Sequence, residues 1–181
     1  MDKKLRAQNV RLVIFDVDGV LTNGQLAIGT EGELLKQFHV QDGMGITAAH
    51  LGGLKTAIIT ARNSAIVERR CQELKIGDVF QGAVSKLAAF EALLTKYALE
   101  PSQVAYVGDD LNDLPVLGAV GFACCLANGV EEVKEVAHFV AEKAGGEGAV
   151  REILEYILKS QGKWTEIIEH YKGSRNQEVR Q

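Results

Sequence analysis

Two aspartates stand two residues apart, Asp16 and Asp18, in the segment LVIFDVDGVLTNG at residues 12–24. Leu12 to Phe15 reads as a buried strand, and Gly19 lets the chain turn away from it. Two carboxylates about 4 Å apart repel by about 4 kcal/mol at an effective dielectric near 20. A fold tolerates this when a cation neutralises one acid or a proton sits on the other. One acid ionised on a metal beside one kept protonated is a nucleophile beside a general acid. Taken alone, the segment also reads as a pair of solvated turn aspartates.

Three further sites carry residue types of matching chemistry. Thr60 closes the apolar run 54–60 and precedes Ala61-Arg62-Asn63. A hydroxyl and free backbone N–H groups at the opening of a helix form an anion site. Lys86 follows Ser85 in the first turn of a helix, where a cation opposes the dipole unless an anion is bound. GDDLND at 108–113 clusters Asp109, Asp110 and Asp113 directly after the apolar run VAYV, an oxygen-rich set suited to a hard cation such as Mg²⁺. Each has a plainer reading: a strand-end hydroxyl, a surface lysine, an N-capped turn. Their joint occurrence in this order favours the chemical one.

The elements that must position these residues alternate along the chain. Apolar runs at 12–15, 54–60, 78–82, 104–108, 121–127 and 138–142 read as strands. Helical patterns lie between them: Met44 to Leu51, a helix capped by Asn63 or Ser64 and running to Leu74, and one capped by Ser85. Another falls between the last two strands, and Val150, Ile153, Leu154, Ile157 and Leu158 mark an amphipathic final helix. Residues 25–39 read as a hairpin turning at Thr30 to Glu33. Repeated β-α units imply an α/β fold, a Rossmann-like doubly wound parallel sheet whose sites form at strand C-termini. The expectation is one domain over residues 1–172, followed by a polar, flexible tail at 173–181. Trp164 is expected to serve helix packing.

Composition narrows the function classes. The 181 residues suit a single domain with a substantial core. A net charge of −4 without a basic run argues against nucleic acid or an anionic membrane as partner. No stretch of about 18 apolar residues occurs, and MDKKLRAQNV lacks a signal peptide's apolar core. Cys71, Cys124 and Cys125 are odd in number and lack CxxC spacing, so they read as reduced core thiols in a cytoplasmic protein. His39, His50, His138 and His170 lack zinc-ligand spacing and read as structural.

In these residues the chain resembles the haloacid dehalogenase superfamily of phosphatases, whose four motifs match Asp16/Asp18, Thr60, Lys86 and Asp109/Asp113. The resemblance spans residues 11 to about 160. It is closest to the capless subfamily of 3-deoxy-D-manno-octulosonate 8-phosphate (KDO 8-P) phosphatases, through DVDGVLTNG, the segment His39-Val40-Gln41-Asp42-Gly43, GDDLNDLPV, and GGEGAVRE at 145–152. Gln41, Thr47 and Glu147 stand where relatives commonly carry cations. Arg62 and Arg70 match positions used near the substrate, and Arg62 separates the chain from nine-carbon sugar-acid 9-phosphatases, the alternative phosphatase reading.

The resemblance implies a cofactor, roles and a partner. Asp16 attacks phosphorus, with Mg²⁺ held by Asp16, Asp109 and the Asp18 main-chain carbonyl. Asp18 protonates the leaving sugar oxygen and then activates water. Thr60 and Lys86 hold the non-bridging oxygens, Asp113 orients Lys86, and Asp110 bonds substrate or water. Residues 39–43, Arg62 and Arg70 contact the sugar phosphate, which is consumed in lipopolysaccharide precursor synthesis. Family members are homotetramers whose hairpins form a central barrel and whose neighbours complete each pocket. Two other classes fit less well. A signalling receiver domain lacks an acid at the position of Asp18. An idle oligomerisation module of this fold would not need Asp16, Asp18, Thr60, Lys86 and Asp109 together.

Overall fold

The two-residue period of a β-strand divides each core strand between two apolar layers. In β1 (Leu12–Phe15), Val13 and Phe15 enter one cluster while Leu12 and Ile14 enter the other, all fully buried. The computed structural model describes residues 2–178 of the chain, with side chains through residue 173. β1 lies at the centre of a six-stranded parallel sheet with β4 (Lys55–Ile59), β5 (Asp78–Phe80), β6 (Val104–Val107), β7 (Phe122–Cys125) and β8 (Phe139–Val140). The order is β5-β4-β1-β6-β7-β8, and both neighbours of β1 pair in parallel, Phe15 opposite Ile58 on one side and Val107 on the other.

That order places a topological switch at β1, because the chain moves first toward β4 and β5 and then returns to add β6 on the opposite flank. In such sheets the crevice opens beyond the C-terminal strand ends at the switch. Asp16, Thr60 and Asp109 follow β1, β4 and β6 into it.

One face is covered by α1 (Lys3–Asn9), α2 (Val40–Leu51), α3 (Ala65–Glu73) and α7 (Ala149–Ser160), which supply Ala7, Ile46, Val67 and Ile153 to one cluster. The other is covered by α4 (Lys86–Tyr97), α5 (Leu114–Leu117) and α6 (Glu131–Val136), through Phe90, Leu93, Leu117 and Val133. β2 (Ala27–Gly29) and β3 (Gly32–Leu35) form a separate antiparallel hairpin. Leu26, Ile28, Leu34 and Leu35 on it are exposed.

Four local expectations change. α1 was not anticipated; it is short, capped by Asp2, and buries only Ala7. α2 begins at Val40 rather than Met44, because His39 caps it and Gly43 and Gly45 let it approach Arg70 and Arg151. A Cβ at Gly43 would lie 2.6 Å from the Arg70 guanidinium. α7 is followed by α8 (Trp164–Glu178), so residues 173–178 of the expected tail are helical, and 179–181 lie outside the described residues. β5 and β8 are shorter than their apolar runs. Trp164 packs against the α7 side of the core with the Arg151 guanidinium 5.0 Å from its ring centre. His50 and His138 make hydrogen bonds to Thr56 and to the Ala123 N–H.

Candidate active site

Sheet register sets the floor of the crater. The Asp16 N–H bonds to the Val107 carbonyl at 3.0 Å, continuing the β1–β6 ladder by one residue and carrying the carboxylate to the rim of the sheet. Gly108 then ends β6, and the chain turns through Asp109 and Asp110 into a single 3₁₀ turn at Leu111–Asp113. Asp113, with no exposed surface, ties this turn together. Its Oδ2 accepts from the Asp109 and Asp110 N–H groups at 3.0 and 3.3 Å, and its Oδ1 accepts from Lys86 Nζ at 2.7 Å and Tyr106 Oη at 2.6 Å. Glycine is required at 108, since a Cβ there would meet the Asp113 carboxylate at 2.5 Å.

Lys86 joins this turn to the strand-end carboxylate. It occupies the first position of α4 behind the Ser85 cap, is 5% exposed, and lies 2.8 Å from Asp16 Oδ2 as well as 2.7 Å from Asp113. Asp16, Asp109 and Asp113 converge, with one oxygen of each within 4.8 Å of the others. One lysine among three acids leaves excess negative charge in a region with little water. Burial first, then the charge of Asp113, pushes the Asp16 carboxyl up to about 6. Asp109 is pushed up to about 7 by burial, then by Asp113 and Asp16. Burial would lower Lys86, but Asp16 and Asp113 hold it above its ordinary value.

These residues fit a hard divalent cation. Asp113 is saturated by its donors and serves as an anchor rather than a ligand. Asp16 Oδ1 and Asp109 Oδ1 are both buried without a hydrogen-bond partner. Two buried carboxylate oxygens left without partners in one crater cost several kcal/mol unless a cation or proton is shared with them. An all-oxygen donor set without His or Cys suits Mg²⁺.

The remaining expected residues divide into two groups. Asp18 is on the crater rim, with Oδ1 paired to Lys36 and Oδ2 3.7 Å from Arg62 Nε. Thr60 is buried at the end of β4, its backbone bonded to Phe80 and Ala83. Asp110 caps its own turn through the Leu111 N–H. The contacts of residues 39–43 and of Arg70 run elsewhere. His39 Nδ1 accepts from the Gln41 N–H, Val40 and Gln41 are exposed, and buried Asp42 accepts from the Arg151 N–H at 2.8 Å in the first turn of α7. Gly43 packs under Arg70, which is 5.7 Å from the Phe38 ring centre and pairs with Glu73.

Sequence reasoning missed Asn128 and Lys36. Asn128 Nδ2 donates to the Gly19 carbonyl at 2.9 Å, and its Oδ1 accepts from the Gly145 N–H at 2.7 Å. Gly145 presses so closely on this loop that a Cβ would lie 1.8 Å from the Gly19 oxygen. Gly19 has φ +87°, and a Cβ there would overlap the Asp109 carboxylate. The only sequence signal for Asn128 was a polar residue just past a buried strand.

A family model described as haloacid dehalogenase-like hydrolase matches residues 62–154. The chain is 46% identical over 165 residues to the 3-deoxy-D-manno-octulosonate 8-phosphate phosphatase KdsC of Escherichia coli, covering 91% of this chain and 88% of that one. Among solved structures, the corresponding phosphatase of Moraxella catarrhalis, in complex with magnesium ion, phosphate ion and KDO, is similar at a TM-score of 0.90 and 41% identity. That match covers 93% of this chain and 97% of the other. A cobalt-bound phosphatase of this kind from Haemophilus influenzae matches at a TM-score of 0.85 and 39% identity, covering 87% and 92%.

Proposed function

The chain belongs to the haloacid dehalogenase-like hydrolases, and from that premise we propose that it is a Mg²⁺-dependent phosphatase hydrolysing KDO 8-P to KDO and phosphate. The observation that carries the reading is Asp16 itself. One of its oxygens is paired with Lys86, and the other is buried, unpartnered and beside Asp109.

Asp16, Asp109 and the Asp18 main-chain carbonyl would hold Mg²⁺, which would supply positive charge against the phosphoryl oxygens. An Asp16 oxygen attacks phosphorus as the bond to the sugar oxygen breaks, and the Asp18 proton passes to that leaving oxygen. Water then attacks the aspartyl-phosphate, giving its proton to Asp18 and releasing phosphate and free Asp16. Thr60 and Lys86 hold the non-bridging oxygens, with Lys86 aimed by its bond to Asp113.

The exposed apolar side chains of the hairpin support a homotetramer in which a neighbour completes the pocket, with Arg62 and Asp110 toward the sugar acid, while the buried Asp42 and Gly43 face α7 and α3 instead. Buried reduced thiols at Cys71, Cys124 and Cys125 support the cytoplasm as the compartment, and no helix among the described residues is long and apolar enough to cross a membrane. The direct test is phosphate release from KDO 8-P. Mg²⁺ should activate and Ca²⁺ inhibit, because calcium takes more ligands at longer bonds. Full activity after exhaustive chelation would overturn the reading.

A further inference from the structure

We propose that Lys36 is a positioning residue for the reaction, holding Asp18 where its proton meets the leaving oxygen. The inference rests on the reading of Asp18 as proton donor.

Asp18 is in the turn after β1, and both of its oxygens face cations that come from other elements. The two cations are unequal. The Arg62 side chain is 45% exposed and approaches at 3.7 Å, whereas the Lys36 side chain is 2% exposed and in direct contact with Oδ1. A long exposed side chain holds a geometry weakly, while a buried one with fixed partners holds it firmly. Lys36 is itself fixed: its Nζ is 2.9 Å from Glu33 Oε1, and Glu33 accepts a hydrogen bond from the Ser64 hydroxyl. Ser64 is the N-cap of α3, bonded to the Val67 N–H at 3.3 Å. A continuous chain of contacts, Asp18–Lys36–Glu33–Ser64, thus runs from the catalytic turn through the hairpin to the start of a core helix.

Alternation along a strand would send Glu33 and Lys36, three residues apart, to opposite faces. They meet because Lys36 lies just past the end of β3 at Leu35, where strand alternation no longer applies. On its other side Lys36 lines a cavity of about 460 Å³ with Phe38, Ile66, Arg69 and Arg70.

The test uses leaving-group chemistry. A sugar alkoxide needs a proton to depart, whereas p-nitrophenolate departs without one. Lys36→Met should lower kcat/KM for KDO 8-P by about 100-fold and for p-nitrophenyl phosphate by less than about fivefold, general-acid catalysis being worth at least that ratio. Lys36→Arg should recover most of the loss. Glu33→Gln, which frees Lys36 without removing its charge, should give a smaller loss of about tenfold confined to the sugar phosphate, and it keeps the test open should Lys36→Met fold poorly. Equal losses on both substrates, or none on the sugar phosphate, would overturn the inference. Asp18→Asn separates the two readings. If it abolishes sugar-phosphate turnover while Lys36→Met affects both substrates alike, only the role of Lys36 falls. If Asp18→Asn spares that turnover, both fall.

Discussion

Asp16 and Asp18 are two residues apart, yet different kinds of structure hold them. Asp16 belongs to an inner region fixed by the central strands and by the buried Asp113, with Lys86 closing the set. Asp18 belongs to a rim held by side chains that reach in from the hairpin and from the start of α3. The inner region is rigid because backbone hydrogen bonding and burial determine it. The rim is the more adjustable of the two because its hairpin makes no sheet pairing with the core, so that its geometry rests on side-chain contacts centred on the buried Lys36. Attack on phosphorus calls for the first property, and accommodation of a particular leaving group calls for the second.

The largest effect that would test this division is at the nucleophile. Asp16→Asn should reduce turnover below about 1% of wild type while preserving the fold, since Asn is nearly isosteric but cannot attack phosphorus. Without metal, its melting temperature should equal or exceed that of wild type, because one of several repelling acids is removed. Residual activity above that level would remove Asp16 from its role.

Stability should divide along the same line. Lys86→Met leaves Asp16 and Asp113 facing each other in a buried site and should cost about 3 kcal/mol in denaturant titration, whereas Lys36→Met should cost about 1 kcal/mol. Comparable losses would mean that the rim is as firmly built as the floor. Acidity gives a third test. The Asp16 and Asp109 carboxyls are raised in the folded state from 3.8 to about 6 and about 7, so the folded chain binds more protons than the unfolded one across that window. Their contribution to stability therefore falls as pH rises from about 4 to 7. Metal-free protein should melt progressively lower from about pH 5 to 7, and saturating Mg²⁺ should remove most of the trend. A flat profile without metal would remove the charge excess proposed for the floor.

The smallest effects are expected at the periphery. Leu34→Glu, on an exposed hairpin position, should shift the sizing profile toward smaller species and raise KM for the sugar phosphate through lost remote binding energy. An unchanged profile would argue against hairpin-mediated assembly. Ser64→Ala removes a helix cap and the anchor of Glu33, and should cost about 1 kcal/mol.

The inner region was legible in the sequence, whereas of the rim only Asp18 and Arg62 were, for a physical reason. Asp16, Thr60, Lys86, Asp109 and Asp113 follow apolar runs or a helix cap directly, and local pattern alone carries them to strand ends that parallel pairing must bring together. Lys36 and Asn128 act through partners 18 and 109 residues away. Nothing within a local window distinguishes Lys36 from a surface lysine. α1 and the early start of α2 escaped notice because a seven-residue helix with one buried side chain, and a helix carrying Gly43 and Gly45, lack the apolar periodicity that marks a helix.

The seam where Asn128 and Gly145 meet Gly19 has a consequence for the order in which the molecule comes into being. During synthesis β1 and its aspartates leave the ribosome early, but the amide that grips the Gly19 carbonyl follows 109 residues later, and the glycine that closes over it later still. The nascent chain thus carries its reactive carboxylates long before it can aim them. The segment that closes this seam also supplies β7 and β8, so completion of the sheet and aiming of the aspartates wait on the same stretch of chain.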